Sequence, residues 1–357
     1  MERDAVEHYV TYLPDADIDA TLQARLDELS RAGTRPNTLR AYERDLAYIS
    51  AWKRLTFGRD LEWPESEAVA LRFIVDHSES LADKPTRHPP RRVAEALVAA
   101  KLRRSLDRPA PATLDRRIAS WRKFHNQRRV ESPFASASVR EARRNARRAI
   151  GHRPPPKAAK PITIDVLEAI LAACPTTLGG MRDRALLETA WASGGRRRSE
   201  IAALHHDDLC LDHFDTKGIV RLRLIQTKTT DAGQVPTLAL SGRAARHLVA
   251  WLDAAQIKAG PVFRAVSKSD RPLERGLTDS GVRDVIRAAL RRAGFAKGFT
   301  SAHGLRSGFL TQAARDGVSM QAAVRLSLHR SIEQASRYYQ DAELEDNPAL
   351  GLLDRRR

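Results

Sequence analysis

The second half of the chain carries side chains that could cut and rejoin a phosphodiester bond. Tyr338 supplies a hydroxyl that can attack phosphorus and stay attached to it as a phosphotyrosine. Arg197 and Arg306 supply planar guanidinium groups, which can donate two hydrogen bonds to two phosphate oxygens and keep their charge. The reaction also needs an acid that protonates the leaving oxygen. These residue types indicate phosphoryl transfer to a tyrosine.

One arginine position lies beside a carboxylate, after two glycines. Residues 193–201 read Ser-Gly-Gly-Arg-Arg-Arg-Ser-Glu-Ile and join one predicted helix to the next. Arg196, Arg197 and Arg198 are consecutive, so any of the three could bind a phosphate. Glu200 is expected to orient the arginine or to cap the following helix. The segment therefore predicts an anion-binding arginine with an orienting partner.

A histidine lies close in sequence to Arg306, and another lies close to Tyr338. His303 and Arg306 are three residues apart, which places them on one face of a predicted helix. His329 lies nine residues before Tyr338. Tyr338 and Tyr339 are adjacent, so they point about 100° apart on a helix and only one can reach a given phosphate. An unperturbed tyrosine has a pKa of about 10, so the nucleophile needs a base or a strongly cationic surround at neutral pH.

Apolar periodicity predicts the elements that carry these groups. Asn37 is a candidate N-cap for a helix that continues to residue 49. Residues 220–226 and 235–240 alternate apolar and polar side chains around a turn, which predicts a β-hairpin with Lys228 between its strands. The other predicted helices cover residues 67–76, 113–124, 162–173, 181–192, 199–204, 244–255, 280–293, 302–315, 319–328 and 332–339.

These elements describe a mainly α protein with a small antiparallel β-sheet, an α+β fold. A chain of 357 residues fits two domains. Residues 151–161 contain three consecutive prolines, which cannot continue a helix and favour an extended spacer. We therefore expect a helical domain over residues 1–150, a basic linker over 151–161 and a second domain over 162–357.

The charge of the chain indicates a polyanionic partner. Lys and Arg number 61 against 44 Asp and Glu, which gives a formal net charge of +17 and a pI of about 10.5. Only 6% of residues are aromatic, which favours contacts to duplex phosphates over stacking on single-stranded bases. The candidate phosphate contacts are Arg40, Arg116, Arg117, Arg122, Lys123, Arg143, Arg147, Arg153 and Lys157.

Other classes of protein are not favoured. The two cysteines, Cys174 and Cys210, lack metal-ligand spacing and fit a reducing cytosol. No apolar stretch approaches the roughly 18 residues of a membrane span, and no apolar run typical of a signal peptide follows Met1. Neither a carboxylate cluster for two-metal catalysis nor a Gly-x-x-x-x-Gly-Lys-Ser/Thr loop is found. We expect a cytoplasmic, nucleoid-associated protein of bacterial type that uses no metal and no cofactor.

The ordered set of motifs resembles the tyrosine recombinase (phage integrase) family, whose pattern is Arg, Lys on a β-hairpin, His-x-x-Arg, His or Trp, and Tyr. The resemblance covers nearly the whole chain, since residues 38–42 with Asp45 and Trp52 look like the opening helix of the family's core-binding domain. Lys228 in Thr-Lys-Thr looks like the lysine of the Cre-type enzymes. The implied site residues are Arg197, Lys228, His303, Arg306, His329 and the nucleophile Tyr338, with Glu200 in support.

The resemblance implies a Cre- or Xer-like site-specific recombinase with a helical DNA-clamping domain and a catalytic domain. Tyr338 would attack a phosphodiester, leaving a 3′-phosphotyrosine and a free 5′-hydroxyl. Arg197 and Arg306 would hold the non-bridging oxygens, His329 would donate a further hydrogen bond, and Lys228 would protonate the leaving oxygen. The phosphotyrosine conserves the bond energy, so the scheme requires neither metal nor ATP. The implied partners are double-stranded DNA with a recombination site and further copies of the chain, as a tetramer on two sites.

His303 would help to accept the tyrosine proton. Two positions depart from the family pattern: Leu328 stands where a small residue, often Gly, is usual, and Arg196 stands where an apolar residue is usual. Arg196 could add a phosphate contact. Residues 344–353 end apolar and could dock on a neighbouring subunit or fold back on their own domain.

Two alternatives stay open at this point. One is a type IB topoisomerase or a hairpin telomere resolvase, which would use the same tyrosine chemistry without needing two sites. The other is a non-catalytic DNA-binding protein that keeps the fold.

Overall fold

A computed structural model of the chain describes residues 19–149, 160–225, 235–300, 303–329 and 332–343. These residues group into two compact units, one within residues 1–154 and one within 155–357. Helices predominate and the strands form two small antiparallel sheets, which confirms the predicted α+β class. The predicted domain limits and the linker stay predictions. In the described part of the chain, no helix is long and apolar enough to cross a membrane.

The N-terminal unit is helical. Its described helices are α1 (Ala20–Gly33), α2 (Pro36–Phe57), α3 (Glu67–Asp76), α4 (Pro89–Ala99), α5 (Pro111–Gln127) and α6 (Ala137–Ala149), with a 3-10 turn at Pro133–Ala135. Its core is aromatic: the ring of Phe73 lies edge-on at 4.8 Å from Trp52 and at 5.4 Å from Trp121. The sequence predicted α2, α3 and α5, but not α1, α4 or α6.

The start of α2 differs from the prediction. The helix begins at Pro36 with Arg35 as its N-cap, so Asn37 is not the cap. Proline suits the first helical position because its missing N–H would have no partner there. Asn37 instead accepts a hydrogen bond from Arg40 within the first turn.

The C-terminal unit mixes helices and strands. Its described helices are α7 (Ile164–Ala172), α8 (Leu178–Ala192), α9 (Arg198–Ala202), α10 (Phe214–Lys217), α11 (Gly242–Ala254), α12 (Asp279–Arg292), α13 (Gly304–Arg315), α14 (Met320–Ser327) and α15 (Ile332–Glu343). The strands are β1 (Leu209–Cys210), β2 (Ile219–Arg223), β3 (Thr237–Ser241), β4 (Arg264–Val266) and β5 (Pro272–Gly276). β2 and β3 are the strands of the predicted hairpin, with Leu222 opposite Leu238. The β4–β5 pair was not predicted.

A small cluster joins the last three helices. It consists of Leu310, Ala313, Ala323, Ala335 and Tyr339, all buried. Arg306 lies in the first turn of α13, His329 follows the end of α14, and Tyr338 lies on α15. Because one cluster holds α13, α14 and α15 together, it brings these three predicted site residues near one another.

Candidate active site

A turn with two glycines brings the arginine motif of residues 193–201 against α13 and α14. After α8, Gly194 and Gly195 adopt positive φ angles of 93° and 70°, which favour glycine. A Cβ on Gly195 would lie 2.3 Å from Cα of Arg306, and one on Gly194 would lie 2.5 Å from the carbonyl oxygen of Leu326. The turn therefore touches both the start of α13 and the end of α14. Only residues without a side chain permit that approach.

Arg197 follows this turn as the N-cap of α9. Its Nη1 donates to Oε1 of Glu200 over 2.6 Å, and its backbone N–H donates to Oε2 over 3.1 Å. Glu200 is buried, whereas the Arg197 side chain remains 23% exposed. The buried carboxylate of Glu200 thus fixes the side chain of Arg197 and leaves part of its guanidinium accessible. Glu200 has the orienting geometry that the sequence predicted.

Two of the three guanidinium nitrogens of Arg306 donate hydrogen bonds within the described residues, and the third does not. The residue is 5% exposed; its Nε donates to Nε2 of His329 over 2.9 Å and its Nη1 to the carbonyl of Gly195 over 3.4 Å. Its Nη2 is buried and has no hydrogen-bond partner among the described residues. Burial, and then the charges of Arg196 and Arg197, lower the pKa of Arg306 to about 10. A buried cationic donor without an acceptor is costly unless a ligand supplies one.

His329 is a hydrogen-bond acceptor in the structure. Because Arg306 Nε can only donate, the Nε2 of His329 carries no proton and its Nδ1–H donates to Oγ of Ser327 over 2.7 Å. Burial, and then the charges of Arg306, Arg197 and Arg196, lower the pKa of His329 to about 3, so the ring is neutral. The expectation that His329 donates to a phosphate is therefore wrong for this arrangement.

The backbone conformation of Leu328 explains why a small residue, often Gly, is usual at this position of the family pattern. Leu328 caps the end of α14 with φ 53° and ψ 46°, in the left-handed region. A Cβ makes this conformation unfavourable by roughly 1–2 kcal/mol, which glycine avoids. The conformation turns the chain so that His329 reaches Arg306.

The two adjacent tyrosines have different surroundings. Tyr339 is buried in the α13–α15 cluster and its hydroxyl donates to the carbonyl of Val318 over 3.0 Å. Tyr338 is half-buried at the edge of the same cluster, and its phenol raises the pKa of Arg306, which places it near that guanidinium. Tyr339 is thus a core residue, and Tyr338 is the tyrosine that lies near Arg306.

His303 and Lys228 are the other two predicted site residues. His303 is the N-cap of α13, one residue before the helix, and not a member of its first turn as predicted. It is exposed, and its charge helps to lower the pKa of His329, so it lies beside the same group of residues. Lys228 lies outside the described residues.

Arg196 does not occupy the phosphate-binding position that its sequence allowed. Its side chain is completely buried, and its Nη2 donates to the carbonyl of Leu326 over 2.9 Å. Arg198 is turned towards Asp279, with 3.2 Å between Nε and Oδ1. Both Arg197 and Arg198 remain partly accessible, but Arg197 is the one held by the buried carboxylate of Glu200, whereas Arg198 pairs with the half-exposed Asp279.

The predicted DNA contacts of the N-terminal unit divide into two groups. Arg117 is 8% exposed and stacks at 3.2 Å over the ring of Tyr48, so its prediction as a phosphate contact is wrong. Arg116 donates to Asp45 over 2.7 Å but remains half-exposed.

The remaining basic candidates are accessible to differing degrees. Arg143 pairs with Asp115, and Lys123 lies 4.8 Å from the ring centre of Tyr42, so both are only partly exposed. The exposed candidates are Arg40, Arg122 and Arg147. The candidates Arg153 and Lys157 lie outside the described residues.

One residue of the site was missed at the level of the sequence. Ser327 is buried, accepts from Nδ1 of His329 and so fixes the tautomer of that ring. A serine two residues before a histidine is not a distinctive motif, and only the left-handed turn at Leu328 brings its hydroxyl back to the ring.

The geometry suits an anion. Arg196, Arg197 and Arg306 face one carboxylate, Glu200, so two positive charges are unbalanced among these described groups. A phosphodiester brings one negative charge, and a second develops as a nucleophile adds. Tyr338, the predicted nucleophile, lies near this cationic group.

Comparison with known proteins agrees with this geometry. Residues 160–345 match the sequence profile described as the phage integrase family. An integrase/recombinase xerD homolog of Selenomonas ruminantium is 29% identical over 182 residues, which cover 49% of this chain and 52% of that protein. The chain thus spans about half the length of this curated relative.

Solved structures with a similar fold include two of the Tn1549 transposon integrase. The complex with transposon right end DNA has a TM-score of 0.56 at 12% identity and covers 92% of this chain and 98% of that chain. The complex with circular intermediate DNA has a TM-score of 0.54 at 12% identity and covers 91% and 97%. At this identity the likeness concerns the fold.

Proposed function

The chain belongs to the phage integrase family, and from this premise we propose that it is a site-specific DNA recombinase. It breaks and rejoins duplex DNA through a 3′-phosphotyrosine, with Tyr338 as the nucleophile. The observation that carries the proposal is the buried Nη2 of Arg306, which has no acceptor among the described residues, in a guanidinium that lies near both Arg197 and the Tyr338 phenol. A non-bridging phosphate oxygen is the acceptor that fits.

The arginines stabilise the transition state. Arg306 donates through Nη2 and Arg197 through the exposed part of its guanidinium, so the two contact the two non-bridging oxygens. Their positions are set before DNA binds, by Glu200 and by His329. Donors that are already oriented need little reorganisation when charge develops on the oxygens.

His329 acts on the reaction through Arg306. By accepting from Nε, it fixes the rotation of the guanidinium and directs Nη2 towards the phosphate. Ser327 keeps the ring in the tautomer that can accept. This role replaces the donor role that the family resemblance implied.

Two residues carry the proton transfers. His303 accepts the proton of the Tyr338 hydroxyl, and Lys228 protonates the leaving 5′ oxygen. The 5′-hydroxyl of a partner strand then attacks the phosphotyrosine and releases Tyr338. Atoms and charge balance without hydrolysis, since one phosphodiester is exchanged for another.

The proposed partners are double-stranded DNA and further copies of the chain. Exchange of two duplexes requires four cuts, so a tetramer on two sites carries out a complete reaction. The exposed Arg40, Arg122 and Arg147 and the half-exposed Arg116 supply phosphate contacts in the N-terminal unit. Residues 344–353, which could dock on a neighbouring subunit or fold back on their own domain, lie outside the described residues.

A covalent-capture experiment tests the proposal. Duplexes selected for binding to the full chain are nicked beside each candidate phosphate, so that the short cut strand diffuses away and the adduct accumulates. We expect a denaturant-resistant adduct with the wild-type protein and with Tyr339→Phe, and none with Tyr338→Phe. An adduct lost in Tyr339→Phe and kept in Tyr338→Phe would move the nucleophile.

A second assay separates the proposal from related activities. A plasmid with two copies of the selected site yields exchanged products if the chain is a recombinase. Relaxation of a plasmid with one site, with no exchange, would indicate a topoisomerase. Binding without any adduct would indicate a non-catalytic protein.

A further inference from the structure

Arg196 is a buried cation that the proposed reaction does not use directly. Its side chain has no exposed surface, so it cannot contact DNA. Its Nη2 donates to the carbonyl of Leu326 over 2.9 Å. That carbonyl belongs to the last turn of α14, where carbonyl groups lack partners within the helix. The guanidinium therefore caps α14 from outside.

The burial of this cation is costly. Nε and Nη1 of Arg196 have no hydrogen-bond partner within the described residues, and Glu200 lies 3.7 Å from Nη1. Burial, the largest effect, lowers the pKa of Arg196 to about 10. An apolar side chain of similar volume avoids this desolvation. Packing alone therefore does not account for an arginine here.

The capped carbonyl lies next to the segment that positions the site. Leu326 is followed by Ser327, whose hydroxyl accepts from His329, and by Leu328 in its left-handed conformation. His329 in turn holds Nε of Arg306. One continuous series of contacts thus connects the Arg196 guanidinium with the open donor of Arg306.

We propose that Arg196 is a positioning residue that holds the end of α14 so that His329 and Arg306 keep their orientation towards the scissile phosphate. Its charge also adds to the attraction of the site for the phosphate without a contact. The inference rests on the proposed function for its catalytic part. The geometric part, that Arg196 fixes the state of His329, holds for the free protein.

The first test needs no DNA. Long-range ¹H–¹⁵N spectra of the full chain report the tautomer and the titration of each histidine. In the wild type we expect the Nδ1–H tautomer of His329 and no titration above about pH 4. In Arg196→Met we expect a mixture of tautomers and a pKa of His329 that rises, because a restraint and a nearby positive charge are lost. Unchanged spectra would overturn the inference.

The second test is the rate of adduct formation. We expect Arg196→Met to form the Tyr338 adduct about a hundredfold more slowly when both proteins are saturated with DNA, as for a small displacement of a reacting group. Arg196→Lys should recover part of the rate, since an ammonium can still donate to the Leu326 carbonyl. Equal rates for wild type and both variants at full occupancy would contradict the catalytic part.

A matched control exists in the same unit. Nη2 of Arg184 donates to the carbonyl of Leu171 over 3.5 Å, which places an arginine at the last turn of α7. We expect Arg184→Met to leave the His329 spectra and the rate unchanged. A similar loss in both Met variants would mean a general loss of stability and overturn the proposal. A wild-type protein that forms no adduct would refute the proposed function, while the spectra still decide whether Arg196 positions His329.

Discussion

Two histidines, one in each unit, have a pKa of about 3, and their surroundings differ. His77 is 2% exposed; its Nδ1 donates to the Phe73 carbonyl and its Nε2 accepts from the Tyr48 hydroxyl, each over 2.6 Å. Burial is the main cause of its lowered pKa. His329 is only half-buried, and three arginines add to the effect of its burial.

The difference lies in the partners of each ring. Both nitrogens of His77 are bound to groups that stabilise its own unit. Both nitrogens of His329 are also bound, but its partner Arg306 keeps a buried donor that has no acceptor in the described part of the chain. A perturbed pKa therefore marks a polar core as readily as a functional site. The buried donor of Arg306 and the unbalanced positive charge distinguish the candidate site around His329 from the polar core around His77.

The largest expected effect concerns Arg306. In Arg306→Lys the charge is kept, but the donors of an ammonium share one nitrogen and do not reproduce the spread of the guanidinium between Nε2 of His329 and a phosphate. We expect the single-turnover rate of adduct formation to fall by roughly 10²–10³, as for the loss of one oriented donor to a developing oxyanion. Arg292→Lys is the control, since Arg292 pairs with Asp183 over 3.0 Å and has no role in the proposed reaction. A rate within threefold of wild type for Arg306→Lys would contradict the assignment.

The corresponding change in the N-terminal unit should affect stability instead. Tyr48→Phe removes the donor to Nε2 of His77 and leaves a buried acceptor unsatisfied. We expect a loss of about 1–3 kcal/mol in the free energy of unfolding, measured with urea. The adduct rate per folded molecule should not change. Tyr42→Phe is the control, and an equal loss there would show that the hydroxyl of Tyr48 is not special.

Short-range patterns in the sequence were enough for much of the fold and for several residues that the structure brings together at the candidate site. The predicted helices 67–76 and 280–293 agree with α3 and α12 to within one residue, because their apolar spacing is regular. The β4–β5 pair was missed because β4 has only three residues and β5 shows no alternation of apolar and polar side chains. Motif order and spacing also indicated Arg306 and His329.

Properties that depend on long-range packing could not be predicted in this way. Arg117 and Arg196 look like solvated cations in the sequence, yet the first is buried on Tyr48 and the second beneath the site. The acceptor role of His329 depends on Ser327, which no pattern singles out. In each case a neighbour distant in sequence, or a left-handed turn, decides the state of the side chain.

Titration of the two histidines sharpens the comparison. For both, the folded-state pKa of about 3 lies below the unfolded value of about 6.5, so the unfolded chain binds more protons between these pH values. The free energy of unfolding should therefore fall as the pH decreases from about 6.5 to about 3. His329→Gln should remove part of this dependence, because Gln does not titrate and its carbonyl can accept from Arg306.

Addition of a selected duplex should then separate the two rings. A phosphate beside Arg306 offsets the positive charges around His329, so the pKa of that ring should rise by about one unit, or roughly 1.4 kcal/mol. The pKa of His77 should not move, because Tyr48 and Phe73 still occupy its nitrogens. The measurement is the histidine titration by NMR in the Tyr338→Phe variant, which forms no adduct. An equal rise in both rings would indicate a long-range field and not a phosphate at Arg306.

The smallest expected effect concerns backbone strain next to the site. Leu328 and Gln256 have nearly equal φ angles of 53° and 52°, and Gln256 is exposed directly after α11. Replacing either residue with glycine relieves roughly 1–2 kcal/mol of strain from the left-handed backbone conformation. The greater conformational freedom of glycine in the unfolded chain offsets about 0.5–1 kcal/mol of this gain. We expect Gln256→Gly to raise the free energy of unfolding by about 0.5–1 kcal/mol, and Leu328→Gly by less, since it also loses half-buried apolar contacts. The adduct rate of Leu328→Gly should stay close to wild type, because Arg196 still caps Leu326 and the glycine favours the same turn. A strong fall in that rate would mean that the Leu328 side chain, and not the left-handed turn, holds His329 against Arg306.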